Sequence, residues 1–134
     1  MSGFSTIADG DLSRIYTTDF TMLDLLSGSG GLWTWGRNNY GQLGKTNTTS
    51  YSSPVTTVAG GTNWKQVAGG YYHTVAIKTD GTLWNWGDNY YGQLGTNNKT
   101  NYYSPVTTVA GGTNWKQVAG GSYHTVAITD SSLP

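Results

Sequence analysis

Two histidines are the residues best suited to acid–base or metal chemistry in this chain. His73 and His124 are each followed by Thr-Val-Ala-Ile, at the same position of a 51-residue repeat. A catalytic or metal centre normally combines groups that have different roles. One identical histidine in each repeat is more typical of a structural side chain that is bonded within its unit. We therefore predict structural histidines and no catalytic residue.

The other reactive patterns are weak. Asp80 and Asp88 each lack an acidic counterpart in the other repeat. Gly-Lys-Thr at 44–46 matches only part of a phosphate-binding loop, and its counterpart at 95–97 has no lysine. The sequence contains neither glutamate nor cysteine, which excludes a thiolate metal site. The sequence therefore predicts a protein that is not an enzyme and that uses no cofactor and no metal.

The elements that position these residues come from two tandem copies of one repeat. Residues 32–78 align without a gap on residues 83–129, and 37 of the 47 positions are identical. Each copy has four short segments rich in Trp, Val and Thr, separated by Gly, Asn and Pro, which is the pattern of β-strands and turns. Four strands in a period of about 50 residues are typical of a β-propeller blade. We predict an all-β fold with an arm at 1–31, blades at 32–82 and 83–129, and a tail at 130–134.

The strands and one hairpin can be placed within the repeat. Pro105 is expected to begin the second strand, where a missing N–H is tolerated. Thr-Asp-Gly at 79–81 predicts a tight hairpin between the last strand of the first copy and the first strand of the second. The strands expected in the second copy are 83–86, 106–109, 115–119 and 124–128.

The repeat resembles that of the regulator of chromosome condensation family. The resemblance rests on Leu-Trp-Asn-Trp-Gly-Asp-Asn-Tyr-Tyr-Gly-Gln-Leu-Gly at 83–95, Ser-Pro-Val at 104–106, Val-Ala-Gly-Gly at 118–121 and His-Thr-Val-Ala at 124–127. Matching pieces stand at 32–44, 53–55, 67–70 and 73–76. The resemblance implies that the protein is an interaction scaffold. It also implies the fold that family members resemble, a closed propeller of seven blades in a single chain. The near-identical copies, rich in Thr, Asn and Gly, resemble those of bacteriophage and marine bacterial proteins.

Two blades cannot close a ring. The repeat region opens with the Leu-Trp strand and ends with the His-Thr strand, so one complete blade is flanked by two halves. We expect the end of one chain to pair with the start of the next, head to tail. Three chains would give six blades, which we favour, and four would give eight. The residues predicted at this closure between chains are Leu32, Trp33, Trp35, His124, Val126 and Ile128.

The two copies share a core and differ mainly in one loop. Seven of their ten differences lie within residues 34–50 or the matching positions. Tyrosine, asparagine and glycine in loops are typical of adaptable binding surfaces, suited to a protein or a glycan. Tyrosines that merely cover strand ends would have the same composition. The candidate contact residues are Arg37, Asn39, Tyr40, Asp88, Tyr90 and Tyr91.

The N-terminal arm differs in charge from the rest of the chain. Residues 1–30 carry a net charge of −3 and the remainder +3. The arm ends in Ser-Gly-Ser-Gly-Gly at 27–31, a flexible linker by composition, and before it a helix and a strand are both compatible with the pattern. It could pack on its own propeller or dock onto another structural protein, and we predict docking. The apolar residues expected to dock are Phe4, Ile7, Leu12, Ile15, Tyr16, Phe20, Leu23 and Leu26.

Composition limits the classes of partner. Seven basic residues balance seven acidic ones, whereas a nucleic-acid-binding surface normally has a basic surplus. The start of the sequence lacks the pattern of a signal peptide, and no apolar run is long enough to cross a bilayer. We predict no nucleic-acid partner, no membrane insertion, and a location in the virion or, alternatively, in the cytoplasm or outside the cell without a signal peptide. The predicted function is a non-enzymatic bacteriophage virion structural or decoration component, assembled as a homo-oligomeric propeller. The alternative is a lectin-like or host-surface-binding module.

Overall fold

The computed structural model describes residues 30–130, which are built from antiparallel β-strands and contain no helix. Eight strands form a two-stranded sheet β1–β2, a four-stranded sheet β3–β4–β5–β6 and a two-stranded sheet β7–β8. The predicted all-β, blade-forming fold is confirmed. The strands are β1 (Trp33–Gly36), β2 (Tyr51–Thr56), β3 (Trp64–Gly69), β4 (His73–Lys78), β5 (Leu83–Gly87), β6 (Tyr102–Thr107), β7 (Trp115–Gly120) and β8 (Thr125–Thr129).

The complete blade combines the second half of one repeat with the first half of the next. Strands β4 and β5 pair across the repeat boundary, from His73 opposite Gly87 to Ile77 opposite Leu83. The predicted hairpin joins them. Gly81 has a φ of 84°, which favours glycine, and a Cβ at this position would clash with a neighbouring backbone carbonyl. The sequence repeat and the structural blade are therefore offset by half a unit.

One strand lies earlier than the sequence predicts. Strand β6 spans Tyr102–Thr107 instead of 106–109, so Pro105 lies inside it. The prediction was wrong because β6 is the outer strand of its sheet, and its register shifts where it passes Trp86. An edge strand with an irregular ladder tolerates a residue that has no N–H. The other three strands of the second copy lie within one residue of their predicted bounds.

The central blade buries side chains on both of its faces. Strand residues alternate between the two sides of a sheet, and a half-blade packs on each side. One cluster reaches toward the β1–β2 half-blade and the other toward the β7–β8 half-blade. The first cluster consists of Leu32, Trp64, Ala76 and Trp86, with Trp84 packed against it. The second consists of Val75, Ile77 and Leu83, with Ala68, Trp115 and Val118 packed against it.

Candidate interaction surfaces

The two half-blades carry the same side chains as the central blade but leave several of them exposed. Trp86 in the central blade has no exposed surface, whereas its counterpart Trp35 is 59% exposed. Ile77 is likewise fully buried, whereas its counterpart Ile128 is 53% exposed. Residue type is the same within each pair, so the presence of a neighbouring blade determines the burial.

The residues predicted at the closure between chains divide into two groups. Trp33, Trp35, Val126 and Ile128 expose about half of their surface or more, and His124 is also exposed. Leu32 differs, because it is buried in the first core cluster of its own chain. Five of the six predicted residues therefore lie on the two open faces of the half-blades.

Trp86 occupies a defined slot on the β1–β2 half-blade. Its Nε1 donates to the carbonyl oxygen of Gln42 at 2.8 Å, and the same oxygen accepts from the hydroxyl of Thr74 at 2.7 Å. Gly44 keeps the slot open, since a Cβ there would lie 3.0 Å from the indole nitrogen of Trp86 and 3.1 Å from the methyl group of Thr57. The slot thus accepts a tryptophan through both its shape and one hydrogen bond.

The equivalent position on the central blade, where it faces the β7–β8 half-blade, is an open cavity of about 390 Å³. Its lining includes Gln93, Gly95 and Thr108, which occupy the same repeat positions as the residues around Trp86. The carbonyl oxygen of Gln93 accepts from the hydroxyl of Thr125 at 2.8 Å. Within residues 30–130 no indole fills this cavity. It has the lining of a tryptophan slot without the tryptophan.

His73 connects the central blade to the β7–β8 half-blade. Its side chain is buried, and its Nε2 lies 2.9 Å from the hydroxyl oxygen of Thr125. Because that hydroxyl donates to the carbonyl oxygen of Gln93, His73 Nε2 is the donor in this contact. Burial lowers the pKa of His73 below its usual value, chiefly by desolvating the charged imidazolium. This geometry is that of a bond between blades.

Two asparagines that the sequence analysis did not single out organise the variable loops. Asn38 is buried; its Oδ1 accepts from the backbone N–H of Leu43 at 2.9 Å, and its Nδ2 donates to the carbonyl of Thr49 at 2.8 Å. Asn89 makes the equivalent two bonds in the second loop. The available signal was their identity in both copies, inside the segment that otherwise varies most.

Six tyrosines form a continuous chain of ring contacts, which we call the tyrosine rim. The centroids of successive rings lie 4.7 to 5.6 Å apart. Three of the predicted contact residues belong to it, joined by three tyrosines that follow strands β3 and β7. In spatial order its members are Tyr40, Tyr72, Tyr71, Tyr123, Tyr91 and Tyr90.

The other three predicted contact residues adjoin the rim. The guanidinium carbon of Arg37 lies 5.1 Å from the ring centroid of Tyr72, and its Nε donates to Asn39 Oδ1 at 3.0 Å. Asp88 is buried, and its Oδ2 accepts from the side-chain amide of Gln93 at 3.2 Å. The loop residues that vary between the copies therefore meet the shared tyrosines at one surface.

A cavity of about 440 Å³ opens within the rim. Asp88, Lys99 and five of the six rim tyrosines line it. The carboxylate of Asp88 and the exposed ammonium of Lys99 are its charged groups among the described residues. It therefore combines aromatic surface with one buried and one exposed charge.

The same part of the chain offers neither a metal-ligand cluster nor a membrane-spanning helix. Residues 30–130 contain no group of three or more His, Asp or other ligating side chains that could hold a metal ion. No helix with the length and apolarity to cross a bilayer occurs among them. The predicted docking residues from Phe4 to Leu26, and residues 131–134, lie outside the described range.

Comparison with known protein families identifies the family of the repeat. The family model for the regulator of chromosome condensation (RCC1) repeat matches residues 29–77 and 80–128. A second model of the same repeat matches residues 64–93. Among solved structures, human WBSCR16 is similar to the chain with a TM-score of 0.63 and 28% identity, over 76% of this chain and 27% of that one.

Curated relatives are much longer than the region they share with this chain. The ultraviolet-B receptor UVR8 of Arabidopsis thaliana is 36% identical over 107 residues, which are 78% of this chain and 24% of the relative. The human E3 ubiquitin-protein ligase HERC2 is 37% identical over 107 residues, 78% of this chain and 2% of the relative. The chain thus spans a quarter or less of the length of these proteins.

Proposed function

Because the chain belongs to the regulator of chromosome condensation repeat family, we propose that it is a non-enzymatic protein-interaction module that completes its propeller with further copies of itself. One observation carries the proposal. Side chains that are fully buried in the central blade, such as Trp86, have exposed counterparts, such as Trp35, in the half-blades. Exposed apolar faces of this kind mark interaction sites.

The pairing of β4 with β5 gives the register expected between chains. Ile77 lies opposite Leu83 in the central blade. The same register shifted by one repeat sets Ile128 of one copy opposite Leu32 of the next, through the edges of β8 and β1 that pair with no other described strand. Backbone hydrogen bonds along this edge would complete a second four-stranded blade.

The same shift by one repeat gives the side-chain contacts expected between two chains. Trp35 of one copy would enter the open cavity beside Gly95 of another and donate to the carbonyl of Gln93. His124 would become buried and donate to the hydroxyl of Thr74 in the next copy, as His73 does within one chain. Each chain offers both partners of every contact, which is the requirement for a head-to-tail ring.

The test is the mass in solution. Light scattering of the full chain at micromolar concentration should give a closed oligomer, for which three chains of 14.4 kDa and six blades is the favoured size. A four-chain ring would still agree with the proposed head-to-tail closure and would contain eight blades instead of six. A monodisperse monomer would contradict the proposal.

The narrower proposal is a bacteriophage virion structural or decoration component, supported by the near-identical, Thr- and Asn-rich copies and by the separate charge of residues 1–30. In this proposal residues 1–26 dock the ring onto another structural protein. Deleting them should leave the number of chains in the oligomer unchanged and abolish attachment to the particle. A truncated protein that still attaches would contradict the docking role, and one that falls apart would place the arm in the propeller.

One observation favours the lectin-like alternative. Loop tyrosines that converge on a cavity are what a glycan-binding surface requires, and five rim tyrosines line the cavity of about 440 Å³. A panel of neutral oligosaccharides tests this alternative directly. Binding that is lost in Tyr91→Ala would support it.

A further inference from the structure

The cavity in the tyrosine rim contains a carboxylate that has no cationic partner among the described residues. Asp88 is only 7% exposed. Its two oxygens accept from the neutral amide of Gln93 at 3.2 Å and from the backbone N–H of Tyr90 at 3.3 Å. Within residues 30–130 no Lys or Arg nitrogen lies within 4.0 Å of it. Buried carboxylates are normally paired with a cation, so this one favours a cationic guest.

The first repeat indicates which cation the rim accepts. Arg37 occupies the repeat position of Asp88, and its guanidinium carbon lies 5.1 Å from the ring centroid of Tyr72. The face of a tyrosine ring carries negative potential and attracts cations. One repeat therefore supplies its own guanidinium to the rim, whereas the other supplies a carboxylate beside an open cavity.

We propose that the cavity at Asp88 binds the guanidinium group of an arginine side chain on a partner protein. A planar guanidinium can stack on Tyr91 or Tyr123 and donate to a carboxylate at the same time, whereas a lysine ammonium is a compact point charge. Lys99 on the cavity wall opposes a cationic guest and limits its affinity. All of these residues belong to one chain, so the site does not depend on ring closure.

The probe is a short capped peptide, acetyl-Gly-Arg-Gly-amide, titrated into the full chain by calorimetry. Its control carries citrulline, the neutral isostere of arginine. The arginine peptide should bind about tenfold more tightly than the citrulline peptide, because a hydrogen bond to a charged group contributes more than one to a neutral group. Equal affinities would overturn the proposal, since shape alone would then explain the binding.

Three variants test the roles of the charges. Asp88→Asn keeps the shape of the side chain and should weaken binding of the arginine peptide by about tenfold. Asp88→Arg copies the first repeat and should abolish binding. Lys99→Thr copies Thr48 of the first repeat and should strengthen it. If the Asp88 variants do not fold, Lys99→Thr and the citrulline control still decide the question.

The outcome can be separated from the proposed function. The mass of the oligomer should be the same for the wild-type chain and Lys99→Thr, so ring closure and arginine binding can fail independently. An arginine peptide whose affinity is unchanged by Asp88→Asn would overturn the proposal. So would a cavity that binds neutral oligosaccharides and not the arginine peptide, which would favour the glycan-binding alternative.

Discussion

The central blade and the two half-blades contain the same residues in different surroundings. Trp86 and Trp35 stand at equivalent positions, and one is fully buried while the other is mostly exposed. Among residues 30–130, each face of the central blade has a neighbouring sheet, whereas each half-blade has a neighbouring sheet on one side only. The repeat sequence therefore determines where strands form, and the neighbouring blade determines whether the apolar side chains of those strands are buried.

Hydrogen bonds show the same contrast. The carbonyl oxygen of Gln42 accepts from both Thr74 and Trp86. Its counterpart on Gln93 accepts from Thr125, and the position of the indole donor is the open cavity. The carbonyl oxygen of Gln93 therefore has one donor fewer than that of Gln42. By analogy with Trp86, the group that would complete the Gln93 site is an indole N–H.

The largest expected effect comes from removing the buried member of the tryptophan pair. Trp86→Ala should lower the free energy of unfolding by about 3–5 kcal/mol, because it deletes a large core side chain and leaves a cavity. Chemical denaturation followed by circular dichroism measures this.

The exposed member of the pair is the matched control. Trp35→Ala should leave the strand content of the chain intact and reduce the proposed oligomer to a monomer, as measured by light scattering. If Trp35→Ala left the oligomeric mass unchanged, the proposed slot on the second copy would be wrong. If Trp86→Ala and Trp35→Ala lowered the free energy of unfolding of the monomer by the same amount, the greater burial of Trp86 would not stabilise the fold.

The second effect concerns the two histidines. His73→Gln removes a buried contact with Thr125 and should lower the free energy of unfolding by about 1–2 kcal/mol. His124→Gln alters an exposed side chain and should affect assembly instead of the fold. Thermal melting and light scattering of the two variants separate these effects. An equal loss of melting temperature in both, without dissociation, would contradict the assignment of His73 to the junction between blades.

Most of the fold follows from the sequence because the repeat is nearly exact. The turn at Gly81 and the strand cores could be placed from composition and period alone. The position of β6 could not, since it depends on an irregular register beside Trp86 and on an edge that only the assembled sheet has. The tyrosine rim was half predicted. The variable loops supplied Tyr40, Tyr90 and Tyr91, and among these only Tyr90 differs between the copies. Tyr72 lies in a shared segment and approaches the loop tyrosines only in three dimensions.

Acidification should weaken the central junction. Burial lowers the pKa of His73 in the folded protein, while an unfolded histidine titrates near 6.5. Below about pH 6.5 the unfolded chain therefore binds more protons than the folded one, and stability falls as the pH falls until the folded pKa is reached. The free energy of unfolding should be lower at pH 5 than at pH 7.5. This decrease in the free energy of unfolding should be smaller in His73→Gln. An identical decrease in the variant would mean that groups other than His73 cause it.

The smallest effect is expected at the turn that joins β4 to β5, and it bears on closure between chains. Asp80 Oδ1 accepts from the backbone N–H of Thr82 at 3.0 Å and from its hydroxyl at 2.6 Å, and these bonds lower the pKa of Asp80. Asp80 is exposed, so Asp80→Asn should change the free energy of unfolding by about 0.5 kcal/mol or less. The strand pair would then depend mainly on its buried faces.

A pair of that kind can also form between β8 of one chain and β1 of another, where no turn connects the strands. Denaturation of Asp80→Asn beside wild type measures the contribution of the turn. A loss well above 1 kcal/mol would mean that the turn contributes much of the pairing in the central blade. The register of β4 and β5 would then be a poor guide to association between chains, even though the apolar faces are the same.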